Sequence, residues 1–574
     1  LVLGLAAGAL IRRFHSNNVA TWGMVALAGA VVLAGLAPTG VLFAAAEGYA
    51  PAPETAGAAS IPQDDGALPP ADAIPDSLPA SASPADPAPG LELESTASTV
   101  TIETDVLRLQ IDPRGASVVA ADLLAYGQTA EPGASPVRLL DPGARYFSAQ
   151  SGWVSSQGEA PNHQSTFQPE ADAFRLGEGE DLLEARFVWR GADGVSVERT
   201  LRLQRGSYAI EVSDRILNQG SQSWRGSRYQ QLLRVPPPAP KSSFTNPEAY
   251  SFVGAAWYSQ SEKFNKIPFD DFDPRAPLNV QAEQGWVAML QHYFFAAWIP
   301  GAEQATQLST GVVSGRYLIR SVSAPLEVAA GSEQTVAARL YVGPKLQDQL
   351  ADLAPGLELA VDYGIFTIIA EPLFWLLSLF HSLTGNWGWA IILLVVLIKL
   401  LFFKLSETQY KSFARMRQVQ PRIEALKERY GDDRQKFNMA MMELYKKEKI
   451  NPIGGCLPIL VQIPVFISLY WVLLESVELR HAPWMGWIQN LTAPDPYFVL
   501  PALNLATMWL TQKLSPTPGM DPLQKKMMQA MPLVFGVLFA FFPAGLVLYW
   551  TVNGALGLLQ QWVITKRHGE PAKA

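Results

Sequence analysis

Short alternating runs of apolar and polar residues begin near residue 99. Stretches such as TVTIETDVLRLQID, EARFVWRG and VSVERTLRLQRG alternate with a period of two and end at Gly or Asp. This pattern is typical of half-buried antiparallel strands bounded by turns. We therefore expect a large all-β domain over residues 96–345, folded as a sandwich.

Continuous apolar runs replace the alternation beyond residue 386. We predict five membrane-spanning helices there, several of them near the lower length limit for a hydrocarbon core of about 30 Å. The five are Trp387–Phe403, Cys456–Leu474, Phe498–Thr511, Met528–Phe542 and Gly545–Ile564. Such short spans indicate either a locally thinned bilayer or shelter by neighbouring helices.

A sixth apolar segment lies near the start of the sequence. Residues 19–41 are long enough to cross a bilayer, and Arg12 and Arg13 precede them. We interpret the segment as an uncleaved anchor and assign residues 1–46 to an N-terminal region that contains this first span. A cleaved signal peptide is the alternative, because the three alanines at 44–46 resemble a cleavage site.

Two connecting segments have distinctive compositions. Residues 47–95 contain 10 prolines, nine carboxylates and no Lys or Arg, which indicates an extended, disordered tether. Residues 346–386 connect the β domain to the later spans and include IFTIIAEPLFWLLSLF. Because Glu371 and Pro372 interrupt that apolar run, we predict a helix lying in the outer membrane interface.

The charge distribution orients the predicted spans. The formal net charge is −8, but residues 14–363 carry 22 Lys/Arg against 39 Asp/Glu, whereas residues 364–574 carry 20 against 13. The loop between Lys404 and Lys449 alone holds 12 basic and 7 acidic residues. By the positive-inside rule, this loop and the tail at 568–574 are cytoplasmic. Six spans then place both ends inside and the acidic β domain outside, as in a bacterial periplasm.

The basic loop over residues 406–450 has its own apolar pattern. Its apolar residues fall at helical spacing in two sets, on either side of Gly431: Ile423, Leu426 and Tyr430, then Phe437, Met441 and Leu444. This predicts a helical hairpin, which either rests on anionic lipid or docks a cytoplasmic partner. The candidate docking residues are Arg415, Arg417, Arg422, Lys427, Tyr430, Lys446 and Lys447.

Residues with enzymatic potential are sparse. The chain has a single cysteine, Cys456, and the β domain has His163 and His292 as its only histidines. These give no metal cluster and no nucleophile–base motif. We therefore expect no enzymatic activity and no cofactor. The five tryptophans Trp153, Trp189, Trp224, Trp257 and Trp286 are interpreted as core residues rather than sugar-binding platforms.

One charge interrupts the apolar run AIILLVVLIKLLFFKL at residues 390–405. A lysine at a helix centre costs about 2.5–3.5 kcal/mol, a penalty that the apolar neighbours of Lys399 outweigh. Lys399 lies five residues before Lys404, roughly 7.5 Å from the inner end of the span. Its ammonium therefore either extends to the headgroups or faces a polar groove between helices.

Several segments are recognisable as a set. INPIGGCLPILVQIPVF, SVELRHAPWMGWIQNLTAPDPYFVLP, QKLSPTPGMDPLQKKMMQAMP, FPAGLVLYWTVNG and SFVGAAWYSQSEKFNKIPFDDF resemble the YidC/Oxa/Alb family of membrane protein insertases. The resemblance runs from about residue 99 to 567, and the large β domain is typical of the Gram-negative form. It implies a polytopic α-helical bundle with a five-span insertase core at 387–567 and a periplasmic β-supersandwich, related in fold to sugar mutarotases.

The resemblance also implies a function and partners. Members insert and fold inner-membrane proteins, alone or beside the Sec translocon, without covalent chemistry. The implied partners are nascent inner-membrane proteins, the Sec translocon and its accessory proteins, a ribosome or signal recognition machinery at the cytoplasmic side, and the lipid bilayer. Direct nucleic-acid binding is not expected, because no soluble basic stripe is present.

The resemblance assigns roles to residues of the spans. A positive residue of the second span, usually Arg, lies in a hydrophilic groove open to cytoplasm and lipid, and Lys399 occupies that position. Gln462, Thr551 and Asn553 match other groove positions. An apolar slide for the entering segment would comprise Ile463, Phe466, Leu469 and Trp550.

Two other interpretations are compatible with parts of the sequence. A transporter or channel would also place a charge inside the membrane, but paired Gly/Pro-broken spans of the inverted-repeat type are not evident. A membrane-anchored carbohydrate-binding protein would use the β domain, but six spans exceed what an anchor requires.

Overall fold

The computed structural model describes residues 99–238, 251–273, 275–301, 305–431, 433–448, 457–514 and 522–568. The predicted first span at 19–41, the tether at 47–95 and residues 569–574 of the tail lie outside the described residues. Within them, a large all-β region precedes a helical region, as the change of hydrophobic period predicts.

The strands alternate in burial as the sequence pattern requires; in Val195–Gln204, for example, every second residue is buried. In chain order they are β1 Val100–Glu103, β2 Leu107–Asp112, β3 Ser117–Gly127, β4 Pro136–Leu140, β5 Phe147–Gln157, β6 Gln168–Pro169, β7 Ala173–Arg175, β8 Leu182–Arg190, β9 Val195–Gln204, β10 Ala209–Asn218, β11 Trp224–Arg234, β12 Gly254–Ser259, β13 Lys263–Pro268, β14 Asn279–Ala282, β15 Trp286–Leu290, β16 Phe294–Pro300, β17 Thr306–Val313, β18 Arg316–Ser323, β19 Leu326–Val328 and β20 Glu333–Pro344.

The described strands form two sheets that pack as a sandwich. One has 11 strands in the order β14-β17-β18-β11-β5-β3-β2-β1-β7, with β19 paired to β11 and β4 to β3. The other has nine, in the order β13-β12-β15-β16-β20-β10-β9-β8-β6. The described pairings are antiparallel except for β1 with β7. One apolar core lies between the sheets, and the predicted core tryptophans lie in it or pack against it.

A buried ion cluster crosses this core. Asp214 of β10 accepts hydrogen bonds from the Arg199 guanidinium at 2.7 and 2.9 Å and from Trp153 Nε1 at 2.8 Å. Arg228 Nε lies 3.4 Å from the same carboxylate. Burial alone would raise the pKa of Asp214, but the two guanidinium groups outweigh it and lower the pKa to about 2.

The helical region follows the predicted apolar runs closely. Its helices are α1 Gln347–Leu353, α2 Thr367–Thr384, α3 Trp387–Leu401, α4 Phe403–Tyr430, α5 Arg434–Lys447, α6 Leu457–Glu475, α7 Val499–Leu514, α8 Pro522–Phe539 and α9 Ala544–His568. A second apolar core joins α2, α3, α6, α7, α8 and α9 and includes Leu394, Leu469 and Val547.

The helices differ in their capacity to span a membrane. Among the described residues, Gly364–Thr384 is the one unbroken helix that is long and apolar enough, and it contains α2. The pair α3 and α4, bent by 66° at Phe402, would make a second candidate, and Val461–Glu475 is a shorter apolar stretch. The six spans and the interfacial position of residues 365–380 therefore stay predictions.

The loop over residues 406–450 forms the predicted helical hairpin from α4 and α5. Its seam consists of Met416, Val419, Ile423, Phe437 and Tyr445 with partly buried neighbours, and all six residues predicted from helical spacing belong to it. The side chain of Asp433 caps α5 by accepting a hydrogen bond from the Lys436 amide at 3.1 Å.

The C-terminal end of α6 joins the two cores. Val477 belongs to the β-domain core, whereas Leu479, two residues later, belongs to the helical core. Arg480 donates a hydrogen bond of 2.9 Å to the Gly127 carbonyl at the end of β3, and Ser251 donates one of 2.8 Å to Glu475. The β domain is thus attached to the α6 end through apolar and polar contacts together.

Candidate functional site

Lys399 lies in the last turn of α3, immediately before the bend at Phe402. Apolar residues make up the rest of the helix, so Lys399 is its one charge. The side chain is half-buried and lines a narrow cleft between α3, the start of α4 and α6. The other lining residues are Ile398, Phe402, Leu405, Ser406, Val461 and Gln462.

The Lys399 ammonium faces α9. A Cβ added at Gly557 would lie 3.7 Å from Lys399 Nζ and 3.5 Å from the Tyr410 hydroxyl oxygen. Tyr410 donates a hydrogen bond of 3.1 Å to the Gly557 carbonyl. Within the described part of the chain, Lys399 forms no ion pair, so its charge is not neutralised by a described neighbour.

Two predicted groove residues complete this arrangement. Gln462 of α6 donates a hydrogen bond of 3.1 Å to Asn553 of α9. Since Gln462 and Lys399 line the same cleft, the structure brings Lys399, Gln462 and Asn553 together from three helices. A flexible ammonium and two amides can hydrogen-bond a peptide backbone or a carboxylate.

Thr551 is placed differently from the other predicted groove residues. Its hydroxyl donates to the Val547 carbonyl one turn earlier at 2.7 Å, and it lies 3.3 Å from the Leu500 carbonyl of α7. The hydroxyl therefore serves the contact between α9 and α7, and the described contacts do not connect it to Lys399.

Additional polar residues, not singled out from the sequence, border the site. Gln560 Nε2 donates to the Lys399 carbonyl at 3.2 Å, and Tyr410 binds Gly557 as described above. The adjacent Gln561 turns instead to the end of α7, where it donates to the Leu514 carbonyl at 3.3 Å. The sequence feature that could have identified these glutamines is their position as a pair inside the apolar stretch LGLLQQWVI.

The predicted slide residues separate into half-buried and fully buried members. Phe466 packs edge-on against Trp550 with ring centroids 4.7 Å apart, and Trp550 also contacts Phe539 at 4.6 Å. Ile463 is half-buried. Leu469 is fully buried in the helical core, which argues against direct contact with an entering segment.

The hairpin residues also differ in their availability to a partner. Arg422 forms an ion pair of 2.6 Å with Glu448, Arg417 donates to the Leu514 carbonyl, and Tyr430 packs into the seam. All six basic side chains of the predicted set are exposed: those of Arg415, Arg417, Arg422, Lys427, Lys446 and Lys447.

One histidine of the β domain lies beside a tyrosine. His163 Nδ1 lies 2.7 Å from the Tyr229 hydroxyl, but both side chains are buried. Within the described residues, no group of three or more His, Cys, Asp or Glu side chains could hold a metal ion.

Comparisons with known proteins place both regions in one family. Residues 99–376 match the family model described as YidC periplasmic domain, and residues 379–571 match the model described as 60Kd inner membrane protein. A relative from Stenotrophomonas maltophilia is 53% identical over 491 residues, covering 83% of this chain and 84% of the relative. One from Xanthomonas campestris pv. campestris is 50% identical over 540 residues, covering 91% and 93%.

A more distant relative agrees with these two. The protein from Methylococcus capsulatus is 46% identical over 528 residues, covering 90% of this chain and 94% of the relative. All three relatives are named membrane protein insertase YidC. This chain therefore belongs to the YidC family of membrane protein insertases.

Proposed function

We propose that this chain inserts nascent inner-membrane proteins through the polar site formed by Lys399, Gln462 and Asn553. The observation that carries the proposal is an ammonium without a described ion-pair partner, placed beside an amide pair in an otherwise apolar helix bundle. Polar groups inside a membrane are unfavourable unless they are paired or serve a function. Family membership provides independent support for insertion as that function.

The site would act by lowering the barrier to moving a polar tail across the bilayer. Burial of an unpaired peptide group or carboxylate in hydrocarbon is unfavourable by several kcal/mol. Gln462 and Asn553 would hydrogen-bond the tail, and Lys399 would attract an acidic one. The apolar segment of the substrate would meanwhile pack against Phe466 and Trp550, with Ile463 beside them. Leu469 is omitted from this role because it is buried.

The lysine at position 399 predicts how the site should recognise acidic substrate tails. Lysine supplies the positive charge of the more usual arginine without the planar, two-pronged donor set. In this proposal, charge attraction to an acidic tail is retained, whereas bidentate recognition of a single carboxylate is lost.

The proposed membrane arrangement has six spans with both ends in the cytoplasm. The first is residues 19–41, and the other five, with the hairpin at 406–450, form the insertase core at 387–567. Residues 346–386 would connect the periplasmic β domain at 96–345 to that core. Helix α2 would lie against the bilayer through its exposed apolar side chains, which include Ile368, Trp375 and Leu383.

The proposed partners follow from exposed surfaces. The basic side chains of Arg415, Lys427, Lys446 and Lys447 would dock a ribosome or the signal recognition machinery at the cytoplasmic hairpin. Sec translocon components would contact the periplasmic domain or the core during joint insertion. The mechanism needs no cofactor and no covalent step.

Photocrosslinking tests this proposal directly. A single-span substrate with an acidic outer tail would be arrested during insertion into proteoliposomes, with a photoreactive residue in place of Gln462. The control would carry the probe at Thr408, which is exposed on α4. We expect the tail to crosslink at 462 and not at 408. Equal labelling at both positions, or none at 462, would contradict the groove.

A further inference from the structure

The carbonyl group of Lys399 has an unusual partner. Carbonyls in the last turn of a helix lack intrahelical N–H donors, and Lys399 is two residues from the end of α3. The side chain of Gln560 on α9 provides the donor, with Nε2 3.2 Å from the Lys399 carbonyl oxygen. Helix α9 therefore caps the end of α3 at the residue that carries the charge.

A second contact fixes the other side of the bend. Tyr410, two turns into α4, donates its hydroxyl to the Gly557 carbonyl of α9. Gly557 and Gln560 are three residues apart, so they lie on the same face of α9. One turn of α9 thus holds α3 before the 66° bend and α4 after it.

The same turn also faces the ammonium. The space above Gly557, where a side chain would begin, lies 3.7 Å from Lys399 Nζ. The direction in which Lys399 leaves α3 depends on the backbone at the helix end, and that backbone is held by Gln560. A loosened bend would let the ammonium move away from the Gln462–Asn553 pair.

We propose that Gln560 is a positioning residue, which caps the broken end of α3 and so holds the Lys399 ammonium in the groove. This inference rests on the proposed role of Lys399 in insertion. Gln560 itself does not have to touch the substrate. Its contribution is transmitted through the backbone of Lys399.

The test uses Gln560→Met, which keeps the side-chain length and removes the donor. Gln561→Met is the matched control, because Gln561 also donates to a helix-end carbonyl, that of Leu514, away from the cleft. Proteoliposomes would be supplied with two forms of one substrate, whose outer tail is either acidic or neutralised by Asp/Glu→Asn/Gln changes. The measured quantity is the ratio of acidic-tail to neutral-tail translocation.

We expect Gln560→Met to lower this ratio by about three- to tenfold, the effect of one lost hydrogen bond, and Gln561→Met to leave it unchanged. In a Lys399→Met background, Gln560→Met should lower the ratio no further. An equal loss for both tails, or the same loss with and without Lys399, would show a general structural defect and overturn the proposal.

Hydrogen exchange separates this inference from the proposed function. In nanodiscs, the amides of residues 402–406 should exchange faster in Gln560→Met than in wild type, with no change in Gln561→Met. If Lys399→Met leaves acidic-tail insertion intact, the charge step of the proposed function fails. The positioning claim is then decided by exchange alone, and unchanged exchange at the bend overturns it.

Discussion

Two polar sites in this molecule, one fully buried and one half-buried, are built in opposite ways. In the β domain, the Asp214 carboxylate is held by Arg199 and Trp153 and lies close to Arg228. In the helical region, Lys399 is half-buried and has no ion-pair partner among the described residues. The Asp214 charge is compensated by side chains of the fold, whereas the Lys399 charge is left available to another molecule.

In our proposal, this difference separates a structural site from a functional one. A buried ion pair that loses one member is destabilised by about 3–5 kcal/mol, because the remaining charge is left without compensation. A single lysine within a span is itself unfavourable by about 2.5–3.5 kcal/mol. Neutralising the charge should therefore have opposite effects on the stability of the two regions.

The largest expected effect is that of Asp214→Ala. Removing this carboxylate leaves the Arg199 and Arg228 guanidinium groups buried without a counter-charge, so the β domain should lose about 3–5 kcal/mol of unfolding free energy. Hydrogen exchange of strands β8 to β10 in the full chain would measure the loss. The control is Asp181→Ala, whose carboxylate is 95% exposed and lies 3.9 Å from Arg205. A loss below about 1 kcal/mol for Asp214→Ala, the range of a surface pair, would contradict a structural role.

Lys399→Met should have the opposite sign. It removes a charge without a described ion-pair partner, so the helical region should gain about 2 kcal/mol of unfolding free energy while acidic-tail insertion falls. Exchange of the α3 amides would report the gain. Lys404→Met serves as the control, since Lys404 is 92% exposed. If Lys399→Met destabilises α3, the charge has a structural partner and the contrast with Asp214 fails.

Acid should weaken the β domain through Asp214. The folded pKa of Asp214, about 2, is below its ordinary value of 3.8. Its contribution is therefore complete above pH 3.8 and disappears as pH falls toward 2, a loss of about 2 kcal/mol. Hydrogen exchange of β10, measured between pH 5 and pH 2.5, would follow this loss of stability. Asp214→Asn should remove the pH dependence in that range. A β10 profile unchanged by Asp214→Asn would contradict the assignment.

The junction between the regions should respond to pH in a higher range and with the opposite sign. Burial raises the pKa of Glu478 from 4.5 to about 7. A raised carboxyl pKa means that the folded state keeps a proton which the unfolded state has released. Stability should thus decrease by up to about 3 kcal/mol as pH rises from 4.5 to 7. Glu478→Gln should remove this pH dependence from the hydrogen exchange of residues 475–480. If the pH dependence persists in Glu478→Gln, another group causes it.

Local pattern predicted much of this architecture. Alternation identified the strands, apolar runs identified α3 and α6 to α9, and helical spacing identified the hairpin seam. Each of these features depends on residues that are close in sequence. The resemblance supplied Lys399, Gln462 and Asn553, which the structure brings together from three helices.

The remaining features depend on contacts between distant residues. The bend at Phe402 lies in LLFFK, without Gly or Pro, so the predicted span continued to Phe403 while the helix ends at Leu401. Gln560 and Lys399 are 161 residues apart, and Trp153 and Asp214 are 61 apart. The burial of Leu469 likewise depends on how the helices pack.

The most direct measurement is insertion by purified protein in liposomes, scored by protease protection of an acidic outer tail. Wild type would be compared with Lys399→Ala and Lys399→Arg, with empty liposomes as the control. We expect loss of protection with alanine, because the attracting charge is gone, and recovery with arginine. Equal protection by all three proteins would contradict a working charge at Lys399.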